Sequence, residues 1–306
     1  MSRFRRANAR RRYRRLFGPE PLEPRALLAA NLVANIHPGV GSLPTELVAA
    51  VGRLYFTADD GATGRELWSS DGTTAGTARV ADIASGAAGS QPTGLVTLGS
   101  VVYFAATHPI SGTELWRSDG TEAGTTLVRD IGTTFVTSFN GDPAQLTIVG
   151  SRLFFTAQGD VSGRELWTSD GTTAGTLLVK DILPGAAGSN PSELMATSTH
   201  VYFVADDGSS GRELWRSDGT AGGTVLVRDL VPGGGSDPAQ LLAIYDAVYF
   251  TAATVSGGRE LWRSDGTAAG TLLVKDLQAG ALSSNPTGLT DFDGTLVFVA
   301  SSPVNG

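Results

Sequence analysis

Histidines and carboxylates are the side chains of this sequence that could catalyse a reaction or bind a metal. The three histidines, His37, His108 and His200, fall in different strand or loop contexts, so a catalytic triad or a shared metal site is not expected. The chain has no cysteine, which excludes disulfides and thiolate ligands. A catalytic centre needs one asymmetric set of residues, whereas most carboxylates here recur in copies. The prediction is that the chain is not an enzyme.

Five aspartates precede a glycine in copies of one motif. They are Asp71, Asp119, Asp170, Asp218 and Asp265. An Asp-Gly pair forms a tight turn, because glycine adopts positive φ and the carboxylate accepts local backbone hydrogens. Calcium binding is the alternative, but calcium needs roughly six to eight oxygens around one point. We predict structural turns and no cofactor, with calcium as a weak possibility.

The same motif contains all five tryptophans of the chain. It reads Glu-Leu-Trp-x-Ser-Asp-Gly-Thr, and its tryptophans are Trp68, Trp116, Trp167, Trp215 and Trp262, spaced by 48, 51, 48 and 47 residues. This period is in the range of β-propeller blades. Tryptophans at one repeated position favour a core role, with exposed platforms for stacking sugars as the alternative. Arginine precedes the glutamate in four copies, as in Arg65 and Glu66, and we expect such pairs to bridge neighbouring blades.

Each repeat resolves into four short β-strand-like runs, which we call strands a, b, c and d. In the fourth repeat they cover residues 193–197, 201–205, 212–216 and 224–230, and no helical period separates them. The prediction is an all-β fold, a β-propeller of four-stranded blades of about 48 residues. Six copies of a, b and d accompany five of c. We expect about six blades, the last incomplete, with residues 32–36 as a d strand in the sheet of the final a and b strands.

A four-stranded meander places the a–b and c–d turns at one end and the b–c and d–a loops at the other. The c–d turn is uniform, whereas the b–c loops at 59–64, 107–112 and 158–163 differ. Variable loops on a rigid scaffold carry function, so we expect this end to bind a protein or polysaccharide ligand. The d–a step from Ile131 to Pro143 is twelve positions, against eight or nine elsewhere. There, Phe135 and Phe139 are expected to fold back over the blade edge or to form an exposed contact patch. Loops often bury their own side chains, which favours the first, and the hypothesis to be tested is that they help hold a partner or a second copy.

Strand a supplies the residues for an enzymatic alternative. Its repeated position near the propeller axis holds Glu46, Gln145, Glu193 and Gln240, with Gly94 and Gly288 in the other two repeats. Carboxylates there could serve a sialidase-like or lyase-like reaction on a glycan. The simpler interpretation is that they line a solvated channel.

Charge separates the first residues from the rest. Residues 1–25 hold nine arginines and two glutamates, 9 − 2 = +7, and the remainder holds 14 basic and 28 acidic groups, 14 − 28 = −14. An acidic body repels phosphate backbones, so nucleic acid is not an expected partner. No run of about 18 apolar residues is present, and a transmembrane span is not expected.

At its repeated motif the chain resembles the bacterial ELWxxDGT repeat proteins, over about residues 31–306. This resemblance implies propeller-forming repeats of large extracellular or surface proteins and brings no catalytic residues. Residues 22–28, Leu-Glu-Pro-Arg-Ala-Leu-Leu, resemble the LEPR-XLL segment near the N-terminus of large secreted or surface proteins. Residues 1–30 are therefore expected to be a basic targeting segment, and the chain a secreted or cell-surface module for binding, adhesion or structure.

Overall fold

The computed structural model describes residues 32–132 and 140–302, and each regular element in these ranges is a β-strand. The strands form five antiparallel sheets of four strands and a sixth of two. Sheets 1 to 3 contain, in turn, β1 (Thr45–Ala50), β2 (Arg53–Asp59), β3 (Arg65–Ser70) and β4 (Ala78–Arg79); β5 (Thr93–Leu98), β6 (Val101–His108), β7 (Gly112–Ser118) and β8 (Thr126–Arg129); and β9 (Ala144–Val149), β10 (Arg152–Gly159), β11 (Gly163–Ser169) and β12 (Leu177–Lys180). Sheets 4 to 6 contain β13 (Ser192–Ala196), β14 (Val201–Asp206), β15 (Arg212–Ser217) and β16 (Val225–Arg228); β17 (Ala239–Ile244), β18 (Ala247–Thr254), β19 (Gly258–Ser264) and β20 (Leu272–Lys275); and β21 (Thr287–Phe292) and β22 (Thr295–Val299).

The predicted all-β class is confirmed, because consecutive strands pair as antiparallel neighbours in every sheet. In sheet 4 the observed strands differ from the predicted runs by one or two residues at their ends. The a strands of consecutive sheets contact one another in chain order, from β1 to β21. No helix in the described ranges is long and apolar enough to cross a membrane.

Sheets 1 to 5 pack face to face, and a separate apolar core lies in each of the four gaps between them. Between sheets 4 and 5, Tyr202 and Leu214 of one sheet pack with Val248 and Phe250 of the other. Successive side chains of a strand point to opposite faces, and both faces of these sheets are apolar. The sequence of strand b is therefore an unbroken apolar run, which is typical of a strand covered on both sides.

Every a strand has a β-bulge at its second residue. The pairing of β1 with β2 shifts in register between Thr45 and Val48, and Glu46 between them has a φ of 57°. The residues at this position in the other sheets also have positive φ, namely Gly94, Gln145, Glu193, Gln240 and Gly288. A bulge redirects the side chain of its extra residue. The side chain at this position therefore does not follow the alternation between the two faces of the sheet that the other residues of the strand follow.

Sheet 6 has only strands a and b in the described residues. β21 and β22 pair with each other, and residues 32–36 belong to no sheet. The expectation that residues 32–36 would join the sixth sheet is therefore wrong. The physical reason is the missing strand c, since strands b and d of a meander are both bonded to the strand between them.

Residues 33–36 nevertheless occupy the place of a d strand beside sheet 1. Thr74 Oγ1 donates a hydrogen bond to Val33 O, as Thr173 Oγ1 of sheet 3 donates to Val128 O in β8. Ile36 packs on the buried cluster that contains Trp68. The sequence match of this segment to strand d is thus reflected in its contacts.

Candidate binding surface

Three b–c loops expose an aliphatic side chain. Ile110, Val161 and Val255 are 89%, 79% and 83% exposed. They belong to sheets 2, 3 and 5, at the end predicted to bind a ligand. Single exposed apolar residues are common, but three at the same end of sheets 2, 3 and 5 make this end a candidate contact surface. The sequence identified two of these loops, at 107–112 and 158–163, as variable but did not indicate these residues, although each is the one aliphatic side chain in an otherwise polar loop.

The b–c loops of sheets 1 and 4 are acidic instead, and their carboxylates fix the loop. Asp60 Oδ1 accepts hydrogen bonds from Thr63 N at 2.7 Å and Ala62 N at 2.9 Å. These two donors hold the pKa of Asp60 below its usual range. Asp207 accepts the equivalent backbone bonds in sheet 4. Both carboxylates therefore stabilise local turns.

Backbone contacts hold the loop end of each sheet in place. Gly64, at the end of a b–c loop, lies so close to the d–a loop that a Cβ on it would approach Gly89 N to 2.5 Å. The d–a loop also reaches the next sheet, where Thr107 N donates to Ser90 O at 2.8 Å. A surface supported on both sides by backbone bonds is suited to presenting side chains in fixed positions.

A buried glutamate in each strand c anchors the following d–a loop. Glu165 accepts hydrogen bonds from Leu183 N at 3.1 Å, from Ser189 N at 2.7 Å and from Ser189 Oγ at 2.5 Å. Burial raises the pKa of Glu165, and these donors oppose the rise. The equivalent pairs of glutamate and serine are Glu66 and Ser90, Glu213 and Ser236, and Glu260 and Ser284.

Glu114 of sheet 2 differs, because its loop has Gly141 where the other loops have serine. Among the described residues, its carboxylate accepts bonds from three backbone N–H groups alone, those of Gly141 at 2.7 Å, Ile131 at 3.1 Å and Gly132 at 3.4 Å. Burial is the main cause that raises the pKa of Glu114 to about 7; the Asp130 carboxylate adds to the rise and the three backbone donors oppose it. A buried carboxyl that titrates near neutrality makes this loop sensitive to pH.

The Arg-Glu pairs do not bridge neighbouring sheets, so that expectation is wrong. Arg65 Nη1 donates to Thr57 and Thr45 in its own sheet, while Glu66 faces the d–a loop. The two side chains point to opposite faces because they are adjacent in a strand. Basic residues of strand d link the sheets instead, as Lys180 Nζ donates to Thr224 O of the next sheet at 2.9 Å.

Four motif tryptophans lie between sheets, and Trp68 packs beside Ile36. Trp68, Trp167 and Trp215 are buried, and Trp116 and Trp262 are half-buried. The Lys180 ammonium lies 5.8 Å from the centroid of the Trp215 ring, within the range of a cation–π contact. None of the five indole N–H groups has an acceptor among the described residues. These rings therefore act by packing, and the buried ones offer no face to a sugar.

The motif aspartates close the c–d turns. Asp170 Oδ1 accepts bonds from Thr172 N at 2.9 Å and Thr172 Oγ1 at 2.7 Å, and Gly171 has a φ of 88°. The threonine hydroxyl and N–H hold the pKa of Asp170 below its usual range. The same contacts recur at Asp71, Asp119, Asp218 and Asp265. Each carboxylate is thus used within its own turn.

The strand a side chains proposed for the enzymatic alternative connect one sheet to the next. Glu46 Oε2 accepts from Gly94 N at 3.0 Å, and Glu193 Oε2 accepts from Leu241 N at 3.2 Å. Gln240 makes a two-way contact, accepting from Gly288 N at 2.9 Å and donating to Pro286 O at 3.0 Å. The glutamates and glutamines share one structural contact, in which carboxylate and amide oxygens accept the same type of N–H group.

The remaining candidate residues are not brought together. His108 lies in β6, His200 in an a–b turn and His37 before β1. Within residues 32–132 and 140–302 no three His, Cys, Asp or Glu side chains are grouped to hold a metal ion. Phe135 and Phe139 lie outside the described residues.

Comparison with known proteins identifies similar structures but no family. No family model matches the chain, and no curated protein matches it. Two solved structures, a puromycin hydrolase and a prolyl endopeptidase, share 16% and 13% identity with TM-scores of 0.50. The matches cover 88% and 86% of this chain and 45% and 40% of those proteins. The chain thus spans less than half of each, and the likeness concerns the arrangement of strands alone. The computationally designed Ika8 protein shares 18% identity, with a TM-score of 0.49 over 88% of this chain and 71% of its own.

Proposed function

We propose that this chain is a secreted or cell-surface β-propeller repeat protein of about six blades, serving as a binding, adhesion or structural module. Its b–c and d–a loop end contacts a protein or polysaccharide. One observation carries the proposal: the repeated carboxylates bond within or between the sheets, whereas Ile110, Val161 and Val255 are each exposed at the loop end. Exposed apolar residues on a rigid base are suited to recognition.

A glycan array and a panel of immobilised surface proteins probed with the purified chain test this function. We expect saturable binding that is lost when Ile110, Val161 and Val255 are all replaced by serine. The matched control replaces Val51 and Tyr245, exposed in a–b turns at the opposite end, by serine. Equal loss of binding in both variants would refute the assignment of the face.

The second candidate is a glycan-acting enzyme, sialidase-like or lyase-like, that uses Glu46 and Glu193. The observation in its favour is that both residues have positive φ, a strained conformation that is often found at functional sites. Their hydrogen bonds to the next sheet explain that strain without catalysis. A hydrolysis screen decides between them, because turnover abolished by Glu46→Gln or Glu193→Gln would replace the binding proposal with the enzymatic one.

Export rests on the basic segment before residue 31 and its resemblance to the LEPR-XLL segment. Expression of the full chain and of a chain without residues 1–30 in a bacterial host tests it. We expect the full chain at the cell surface or in the medium and the shortened chain inside the cell. Equal retention of both would exclude a targeting role.

A further inference from the structure

The d–a loop of sheet 2 has an Asn-Gly pair where those of the other four-stranded sheets have glycine or serine followed by serine. The pair is Asn140 and Gly141, and the corresponding pairs are Gly89-Ser90, Gly188-Ser189, Gly235-Ser236 and Ser283-Ser284. Asparagine before glycine is especially prone to lose its side-chain ammonia, because the glycine nitrogen can attack the side-chain amide with no Cβ in the way. Whether this happens in a folded chain depends on the groups that surround the two reacting atoms.

The nitrogen that would attack is bonded to a buried carboxylate. Gly141 N donates to Glu114 Oε1 at 2.7 Å, a distance at which a carboxylate can take the proton as a general base. Burial, with the Asp130 carboxylate adding to it, raises the pKa of Glu114 to about 7. Glu114 is therefore a stronger base than an exposed carboxylate and is ionised above neutral pH.

The amide that would be attacked is held by a backbone donor. Thr113 N donates to Asn140 Oδ1 at 3.2 Å. In sheet 5 the equivalent donor, Arg259 N, bonds to Ser283 Oγ at 2.9 Å. A donor on the amide oxygen stabilises the negative charge that this oxygen carries when a nitrogen adds to the amide carbon. Asn140 is only half-buried, so water has access to it.

We propose that Asn140 is a self-modification site, at which the folded chain converts this asparagine into aspartate or isoaspartate with Glu114 as the general base. Glu114 takes the proton of Gly141 N, and that nitrogen forms a bond to Cγ of Asn140. The bond from Cγ to Nδ2 then breaks, and Nδ2 leaves as ammonia with the proton that Glu114 received. Water adds to either carbonyl of the resulting succinimide ring and opens it. Glu114 is regenerated, and solvent water is the single co-reactant.

The product changes the loop that Glu114 and Thr113 hold. Aspartate at 140 keeps the main chain and adds a negative charge to the residue before Gly141. Isoaspartate carries the main chain through the side-chain carbons and lengthens it by one atom between residues 140 and 141. Either product alters a d–a loop at the predicted binding end, but the reaction does not depend on the proposed binding function.

Mass spectrometry of the tryptic peptide 130–152 tests the proposal on the full 306-residue chain, incubated at neutral pH and sampled over time. We expect Asn140 to convert faster in the folded chain than in the chain unfolded in guanidinium chloride. Glu114→Gln is expected to slow the conversion in the folded chain about tenfold or more and to leave the unfolded rate unchanged. Glu165→Gln, at the same position of sheet 3, is the matched control and is expected to convert like the parent.

The pH profile of the parent is a second test, which decides the matter if Glu114→Gln does not fold. The rate in the folded chain should rise to about pH 7 and then level off as Glu114 becomes ionised, whereas the unfolded rate should keep rising with hydroxide. The proposal is overturned by conversion that is no faster in the folded chain, by equal rates in folded Glu114→Gln and the parent, or by parallel pH profiles. These rates are measured without a ligand, so their failure is distinguished from failure of the loop-face function.

Discussion

The pH dependence of Glu114 offers the sharpest test of how the d–a loops are held. Burial raises the pKa of this carboxyl from 4.5 to about 7. A raised pKa means that the folded state binds the proton more tightly than the unfolded state. The associated stability is fully present below pH 4.5 and is lost as pH rises through about 7. Raising the pH therefore weakens the fold through this one residue.

The size of the effect follows from the two pKa values. At about 1.36 kcal/mol per pKa unit, the linked free energy changes by roughly 2.5 kcal/mol between about pH 5 and about pH 8. Glutamine does not titrate, so Glu114→Gln removes this pH dependence. Any change in the free energy of unfolding that the amide itself causes is the same at every pH. The free energy of unfolding of the variant minus that of the parent should therefore rise by about 2.5 kcal/mol over this range.

Urea denaturation of both proteins at several pH values measures this difference. Glu165→Gln is the matched control, because the Ser189 hydroxyl donates to that carboxylate and favours its ionised form. The control should show a smaller change with pH. If the difference between Glu114→Gln and the parent is the same at both ends of the pH range, the raised pKa of Glu114 is refuted. An equally large change in Glu165→Gln would refute the role given to the Ser189 hydroxyl.

Three further predictions concern packing, metal and the long d–a loop. Trp215→Ala should lower the free energy of unfolding by about 3 to 5 kcal/mol, and Trp215→Phe by much less because the indole N–H has no acceptor in the described residues; equal losses would contradict a packing role. A chelator should lower the melting temperature of the purified chain by less than about 10 °C, and a larger fall would identify the Asp-Gly turns as calcium ligands. Replacing Phe135 and Phe139 by serine should weaken partner binding or self-association with the melting temperature nearly unchanged, whereas a large loss of stability with unaltered association would place them in the core.

The sheets could be predicted from sequence because each strand has a local signature. Strand b is an apolar run, as in residues 201–205, and the c–d turn is marked by Ser-Asp-Gly-Thr. Both signatures consist of residues that are adjacent in sequence, so they could be found in every repeat once the period of the repeat was known. The contact between Glu165 and Ser189 is different, since its partners are 24 residues apart. Its signal was a serine that recurs at nearly the same distance after the motif glutamate.

The bulge of strand a was not predicted, because glutamate and glutamine do not indicate positive φ. The signal was present in Gly94 and Gly288, which occupy the same position in two other repeats. For the Arg-Glu pairs, in contrast, the sequence suggested a contact that the described residues do not make. Opposite charges next to each other suggested a bridge, but adjacent residues of a strand face opposite ways, so Arg65 and Glu66 cannot act on the same neighbour.

Side chains of four a strands, β1, β9, β13 and β17, bond to the next sheet, and these bonds concern how a repeated chain can arise by duplication. Gln145 accepts from Leu194 N, and Gln240 accepts from Gly288 N, so every such contact runs from one repeat to its successor in the same sense. A duplicated segment of about 48 residues therefore carries both groups that this contact needs. Its strand a side chain accepts from the repeat that follows, and its backbone N–H group donates to the repeat that precedes it. Gly94 has no side chain to reach sheet 3, yet β5 still contacts β9, which shows that a junction survives without this bond. Duplication of a repeat therefore duplicates this contact with it.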